Sequence, residues 1–162
     1  MKIPRGLLIT AILSLINVGI SLLSALASLI IGKPDEKTLK EAELSLKKEM
    51  IEMKKLNLDY AAELLDKFNK MNEAFMSSFY AYHFLLSLIF ALGAIGVVLM
   101  LKRNKLGFHL YICYSILGIG HMYIFASPNI VPSVMIILSS FISGLFIFLF
   151  SRHLPWMGLN ED

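Results

Sequence analysis

Charge is missing from most of this chain. Four stretches, residues 6–31, 75–101, 106–126 and 130–151, contain no Asp, Glu, Lys or Arg. They therefore offer no buried acid for proton-coupled transport and no charged pathway. Cys113 is the only cysteine, which excludes an intrachain disulfide and a thiolate-built zinc site. No proline falls between Pro34 and Pro128, so the second and third stretches lack the broken helices on which many transporter sites are built. The stretch ALGAIG at residues 91–96 lacks the lysine and the preceding strand of a phosphate-binding loop. No nucleophile stands with an orienting base, and no carboxylate pair lies within the apolar runs. A formal net charge of +3, dispersed along the chain, is no footprint for nucleic acid, which needs a basic stripe with interleaved aromatics. These absences predict a protein that is not an enzyme, uses no cofactor and has no nucleic-acid partner.

What the chain does have is apolar length. Its 162 residues are 57% hydrophobic and 17% charged, with a mean hydropathy of +0.70. About twenty apolar residues cross a bilayer core as helix, and each of the four uncharged stretches is that long. Helices and closed barrels alone satisfy every backbone group in lipid, and these runs lack the alternation of barrel strands. The expected fold is all-α: a polytopic four-helix transmembrane bundle with an extramembrane helical hairpin between spans one and two. The expected segments are an N-terminus with span one (1–32), the hairpin (33–74), span two (75–101), a basic loop (102–105), span three (106–126), span four (130–151) and a tail (152–162).

Basic residues flank one side of the spans: Lys2 and Arg5, then Lys102, Arg103 and Lys105, then Arg152. The positive-inside rule places both termini and the 102–105 loop in the cytoplasm. Residues 33–73, with nine lysines against ten acids, then lie outside. Ala25 and Ala27 form an Ala-x-Ala pair of the signal-cleavage kind. The apolar run around them is longer than the 7 to 15 residues of a signal core, so an uncleaved span is expected. Phe75, Phe79, Tyr80, Tyr82 and Phe84 at one end, with Phe108, Tyr111, Tyr114 and Trp156 at the other, fit aromatic belts as well as packing within the bundle.

Residues 34–74 are rich in Glu, Lys, Leu, Met and Ala, all strong helix formers. Acid-then-base pairs four apart support a helical surface: Glu36 with Lys40, Glu43 with Lys47, Glu63 with Lys67, and Asp66 with Lys70. One straight helix over residues 35–73 would be about 58 Å long, too long to join two packed spans. A reversal at Leu56-Asn57-Leu58-Asp59 is therefore expected, with the second arm running unbroken into span two. Leu39, Ala42, Leu46, Met50 and Met53 share one face of the first arm, and Ala61, Leu64, Leu65, Phe68, Met71 and Phe75 one face of the second. These stripes bury one another, or dock onto a partner, for which Leu46, Met50, Met53, Leu64, Phe68 and Met71 are the candidates. A helix lying in the interface plane is a third arrangement.

His83 and His121 fall at similar depth in spans two and three. Two histidines make no spacing motif, so they are weak metal candidates and no metal is expected. Ser21 with Ala25, Ser24 with Ser28, Ser139 with Ser143, and Ser140 with Gly144 are small-residue pairs four apart that let helices approach, and Asn17 adds a polar group to span one.

Three segments, PRGLLITAILSLINVGISLLSAL, GVVLMLKRNKLGFHLYI and FIFLFSRHLPWM, resemble a family of small four-span bacterial membrane proteins, largely uncharacterised. The basic turn followed by Gly107, Phe108 and Tyr111 is the most specific part. The resemblance implies a bacterial inner (cytoplasmic) membrane location with both ends cytoplasmic, and supplies no activity or site residues. The expected function is a non-enzymatic accessory or scaffold subunit of a membrane assembly. Its partners would be the lipid bilayer and other membrane proteins or copies of itself. The alternative is a small oligomeric channel or transporter lined by Asn17, His83, His121 and serines.

Overall fold

The computed structural model describes residues 2–158; residue 1 of the expected N-terminal segment and residues 159–162 of the expected tail lie outside the described residues. All regular structure among the described residues is helical. In order the elements are α1 (Arg5–Ile31), α2 (Glu36–Lys55), α3 (Asp59–Ser77), α4 (Phe79–Leu101), α5 (Leu106–Gly120), α6 (Met122–Phe125), α7 (Ser133–Ser151) and α8 (Leu154–Met157). Four helical runs are long and apolar enough to cross a membrane: Arg5–Ile31, Phe79–Leu101, Leu106–Phe125 and Ser133–Ser151.

Local chemistry sets most boundaries. Pro4 and Pro132 stand immediately before α1 and α7, where a missing N–H is no loss. Gly32 ends α1 at φ 88°, donating its N–H to the Ser28 carbonyl, a conformation that favours glycine. Asp35 caps α2 by accepting the Thr38 N–H at 2.8 Å. α2 stops at Asn57, which adopts φ 58°, and the Leu58 N–H closes back onto the Met53 carbonyl at 2.9 Å, the usual left-handed helix stop. Arg103, at φ 64°, turns the chain between α4 and α5, and the Asn104 side chain accepts the Leu106 N–H at 2.9 Å to start α5.

α1, α4 and α5 pack most closely, while α7 rests on α5 and α1. At the basic end, Leu7, Ala11, Val97, Met100, Phe108, Tyr111, Phe150 and Met157 form one buried cluster drawn from α1, α4, α5, α7 and α8. Arg103 lies 4.8 Å from the Trp156 ring centroid, a cation–π contact that ties the α4–α5 turn to α8. At the opposite end a second cluster joins Met71 and Phe75 of α3 to Met122, Ala126 and Val131.

That second cluster corrects one expectation. The arm from Asp59 does not run unbroken into span two, because the helix breaks at Ser78 (φ −116°, ψ 36°), and Phe75 belongs to α3, leaving Phe79 to begin the span. Across the break Phe75 stacks on Tyr82, with centroids 4.3 Å apart and planes at 13°. Further back along α3, Met71 packs on Met122 and Val131, and Tyr60, Glu63, Leu64 and Lys67 share a recess with Pro132, Ser133 and Val134. α3, about 28 Å long at 1.5 Å per residue, thus lies across the ends of α4, α6 and α7.

Two further boundaries differ from the sequence reading. The fourth span begins at Ser133, with Ile130 in the preceding turn, and the third is interrupted at His121 between α5 and α6. On α2 and α3 the ion pairs Glu43–Lys47, Glu63–Lys67 (2.9 Å) and Asp66–Lys70 (2.7 Å) are present, and Lys37–Glu41 (4.0 Å) is found where Glu36–Lys40 was expected. All are solvent-facing, where an ion pair adds little to stability.

Candidate functional site

Glycine brings α4 and α5 together. A Cβ on Gly96 would stand 2.9 Å from the Gly107 carbonyl oxygen, and one on Gly107 would collide with the Gly96 carbonyl. Gly93 makes room for the Tyr114 ring, whose Cδ2 lies 2.8 Å from where a Cβ would be. α1 joins the pair through a buried bond in which the Ser14 hydroxyl donates to the Tyr111 phenol oxygen at 3.1 Å. Tyr111 also meets Phe150 of α7 edge-on, at 4.9 Å and 67°.

α7 is held at its two ends and not in its middle. Met135 and Ile136 pack into one cluster, Phe146, Ile147 and Phe150 into the other, and Phe150 alone among the nineteen residues of α7 is fully buried. Between those anchors a cavity of about 220 Å³ opens, bounded by α1, α4, α5 and α7. Its polar lining comes from Asn17, Tyr114, Ser115, His121, Ser139 and Ser143, and its apolar walls include Ile89, Phe90, Ile142 and Phe146. Among the described residues no Asp, Glu, Lys or Arg lines it. Ser115 is 4% exposed and His121 7%. Yet Ser115 Oγ and His121 Nδ1 have no hydrogen-bond partner. The Leu117 and Gly118 carbonyls lie within hydrogen-bonding reach of the His121 imidazole.

Among the expected residues, Asn17, His121, Ser139 and Ser143 are brought into this cavity. His83 is not. Its ring packs against Phe79 at 4.4 Å and Tyr82 at 5.1 Å, and Tyr82 in turn faces His121 at 5.8 Å. Tyrosine therefore sits between the two imidazoles, and among the described residues no three of His, Cys, Asp and Glu gather as a metal site. Ser115 carries no mark in the sequence, and Tyr114 is read there only as an aromatic-belt or packing residue. A serine or tyrosine inside an apolar run carries no distinguishing signal until the phase of its helix against its neighbours is known.

The candidate partner-binding residues divide. Met71 is 5% exposed and belongs to the cluster with Met122 and Val131. Leu46 and Phe68 line a recess of about 420 Å³ with Leu65, Tyr82 and Met135, and Met50, Met53 and Leu64 are half-buried. Of the packing residues, Ala25 is 3% exposed and Ser21 half-buried. Ser140 and Gly144 are exposed, and a Cβ on Gly144 would meet nothing within 4 Å. That pair does not serve helix approach within this chain.

The chain matches no protein-family model, no curated protein and no solved structure. What defines its class is its own architecture: an all-helical protein with four helices fit to cross a membrane and a polar cavity among them.

Proposed function

We propose that this chain is a non-enzymatic accessory or scaffold subunit of a bacterial inner-membrane assembly. In this reading both termini are cytoplasmic, and an extracytoplasmic helical hairpin, α2 with α3, binds the partner. One observation carries the proposal. Leu44, Ile51, Leu56 and Leu58, on α2 and its closing turn, are 59%, 55%, 68% and 49% exposed, outside the four runs that lipid would cover. Leu44 and Ile51, seven residues apart, share one face of this charged helix, and Leu56 and Leu58 extend the exposed apolar surface past its end. The exposed Ser140–Gly144 pair on α7 offers a second, intramembrane face of the small-residue kind that helices use to associate. Purification in mild detergent after crosslinking tests the proposal. A specific co-purifying protein or a defined homo-oligomer supports it, and monomer alone, with nothing crosslinked, refutes it.

A second reading, a small oligomeric channel or transporter, is favoured by the gathering of Asn17, His121, Ser139 and Ser143 around one cavity. Flux in reconstituted vesicles decides it. Leak unchanged across ions and small solutes would remove it.

A further inference from the structure

Positive charge at the basic end of the spans exceeds what the chain itself can neutralise. Nine of the fifteen Lys and Arg residues lie within residues 33–73, and the other six are Lys2, Arg5, Lys102, Arg103, Lys105 and Arg152, against two acids, Glu161 and Asp162. Among the described residues Arg152 makes no ion pair, and its side chain is exposed. It follows directly on the nineteen residues of α7. A helix of that length rises about 28 Å, close to the thickness of a hydrocarbon core, so a spanning α7 delivers the guanidinium to the level of the lipid phosphates.

A recess of about 290 Å³ opens at that level between the start of α1 and the end of α7, lined by Gly6, Thr10, Leu149, Arg152 and His153. Gly6 leaves room for the imidazole, since His153 Nε2 lies 3.2 Å from where a Cβ would stand. The Thr10 hydroxyl already donates to the Gly6 carbonyl at 2.9 Å, which leaves Arg152 and His153 as the polar side chains open to a ligand. We infer that this recess holds the phosphodiester of an anionic phospholipid of phosphatidylglycerol type, with Arg152 as its counter-ion and His153 as a further donor. A guanidinium matches two phosphate oxygens at once. A zwitterionic headgroup carries its own cation, which the surrounding lysines and arginines repel, so the site selects lipids of net negative charge. The seam leading away from the recess favours a lipid over a free phosphate. Thr10 and Asn17 stand seven residues apart on one face of α1, and Leu149, Phe146 and Ile142 follow at spacings of three and four on one face of α7. An acyl chain can lie along that seam toward mid-span, where inorganic phosphate would gain nothing. The inference requires the four helices to cross a bilayer but is independent of the scaffold proposal, because no residue of α2 or α3 takes part.

Native mass spectrometry of the full chain in mild detergent, titrated separately with phosphatidylglycerol and phosphatidylcholine, tests it. The first phosphatidylglycerol should bind about fivefold tighter than the first phosphatidylcholine, the contribution of one basic residue near a membrane surface. Arg152→Gln should bring the two lipids to parity. Lys102→Gln removes the same charge from the same end but outside the recess, and should leave the preference intact. Glycerophosphoglycerol, the same headgroup without acyl chains, should not displace the bound lipid. Equal affinity for the two lipids overturns the inference, as does an equal loss of preference in both variants, which would mark a diffuse charge effect. Displacement by glycerophosphoglycerol at concentrations comparable to the lipid would overturn the lipid assignment in favour of a free phosphate ester. The comparison of lipids on the unaltered protein stands even if a variant fails to fold.

Discussion

Gly96 and Gly107 meet backbone to backbone where α4 crosses α5, each occupying the space in which the other's Cβ would sit. Their contact sets the distance between the two most closely packed helices of the molecule. Gly107→Ala is predicted to destabilise the fold by about 1 to 3 kcal/mol through overpacking against main chain that cannot move aside. Gly144→Ala, with open space around it, should be neutral or slightly stabilising, because alanine favours helix by about 1 kcal/mol over glycine. Reversible unfolding in mixed micelles measures both, and equal effects would refute this packing.

The bond from Ser14 to Tyr111 connects α1 to α5. Ser14→Ala and Tyr111→Phe should each destabilise, and the double variant should cost less than their sum. A coupling of about 0.6 kcal/mol is expected, the average for side-chain hydrogen bonds between helices in lipid. Strict additivity in the double-mutant cycle would show that the two hydroxyls do not interact.

Asn57 closes α2 in the left-handed conformation, at φ 58°. Asn57→Gly should be tolerated, whereas Asn57→Val should cost about 1 to 2 kcal/mol, since a β-branched side chain is strained there. Thermal unfolding of α2 followed by circular dichroism distinguishes them.

At the start of α2, bonds from the Thr38 side chain and backbone hold the Asp35 carboxyl below its ordinary value of 3.8. A depressed folded value means that the cap's contribution is complete above pH 3.8 and is lost as the pH falls through the lower folded value. Amide exchange at Thr38, corrected for the intrinsic pH dependence, should therefore rise several-fold on acidification below that range. In Asp35→Ala it should be fast at every pH. Protection at Thr38 that is independent of pH in the unaltered protein would contradict this cap.

Features written in one stretch of chain were legible before the structure was seen. Uncharged runs mark the four membrane-crossing candidates, and Asn57 with Asp59 marks the break between α2 and α3. Features that depend on two stretches meeting were not. Nothing in Met76-Ser77-Ser78-Phe79 signals a break; the bend at Ser78 accompanies the packing of Phe75 on Tyr82 and of Met71 on Met122. Ser139 and Ser143 read as a packing pair because their spacing is right, yet α7 is splayed at that height and they face a cavity. Gly96 and Gly107 also required knowledge of which turns of α4 and α5 lie opposite. Ser115 becomes informative only through its burial beside His121.

The proposed sidedness rests on the basic residues that flank one end of the spans. In a chain with Cys113 replaced by serine, cysteines placed one at a time at Ile51 and Asn104 can be labelled in intact cells, outer membrane permeabilised, with a membrane-impermeant maleimide. The account predicts labelling at position 51 from outside and at position 104 only after the inner membrane is opened. Labelling of both positions from the same side would contradict it.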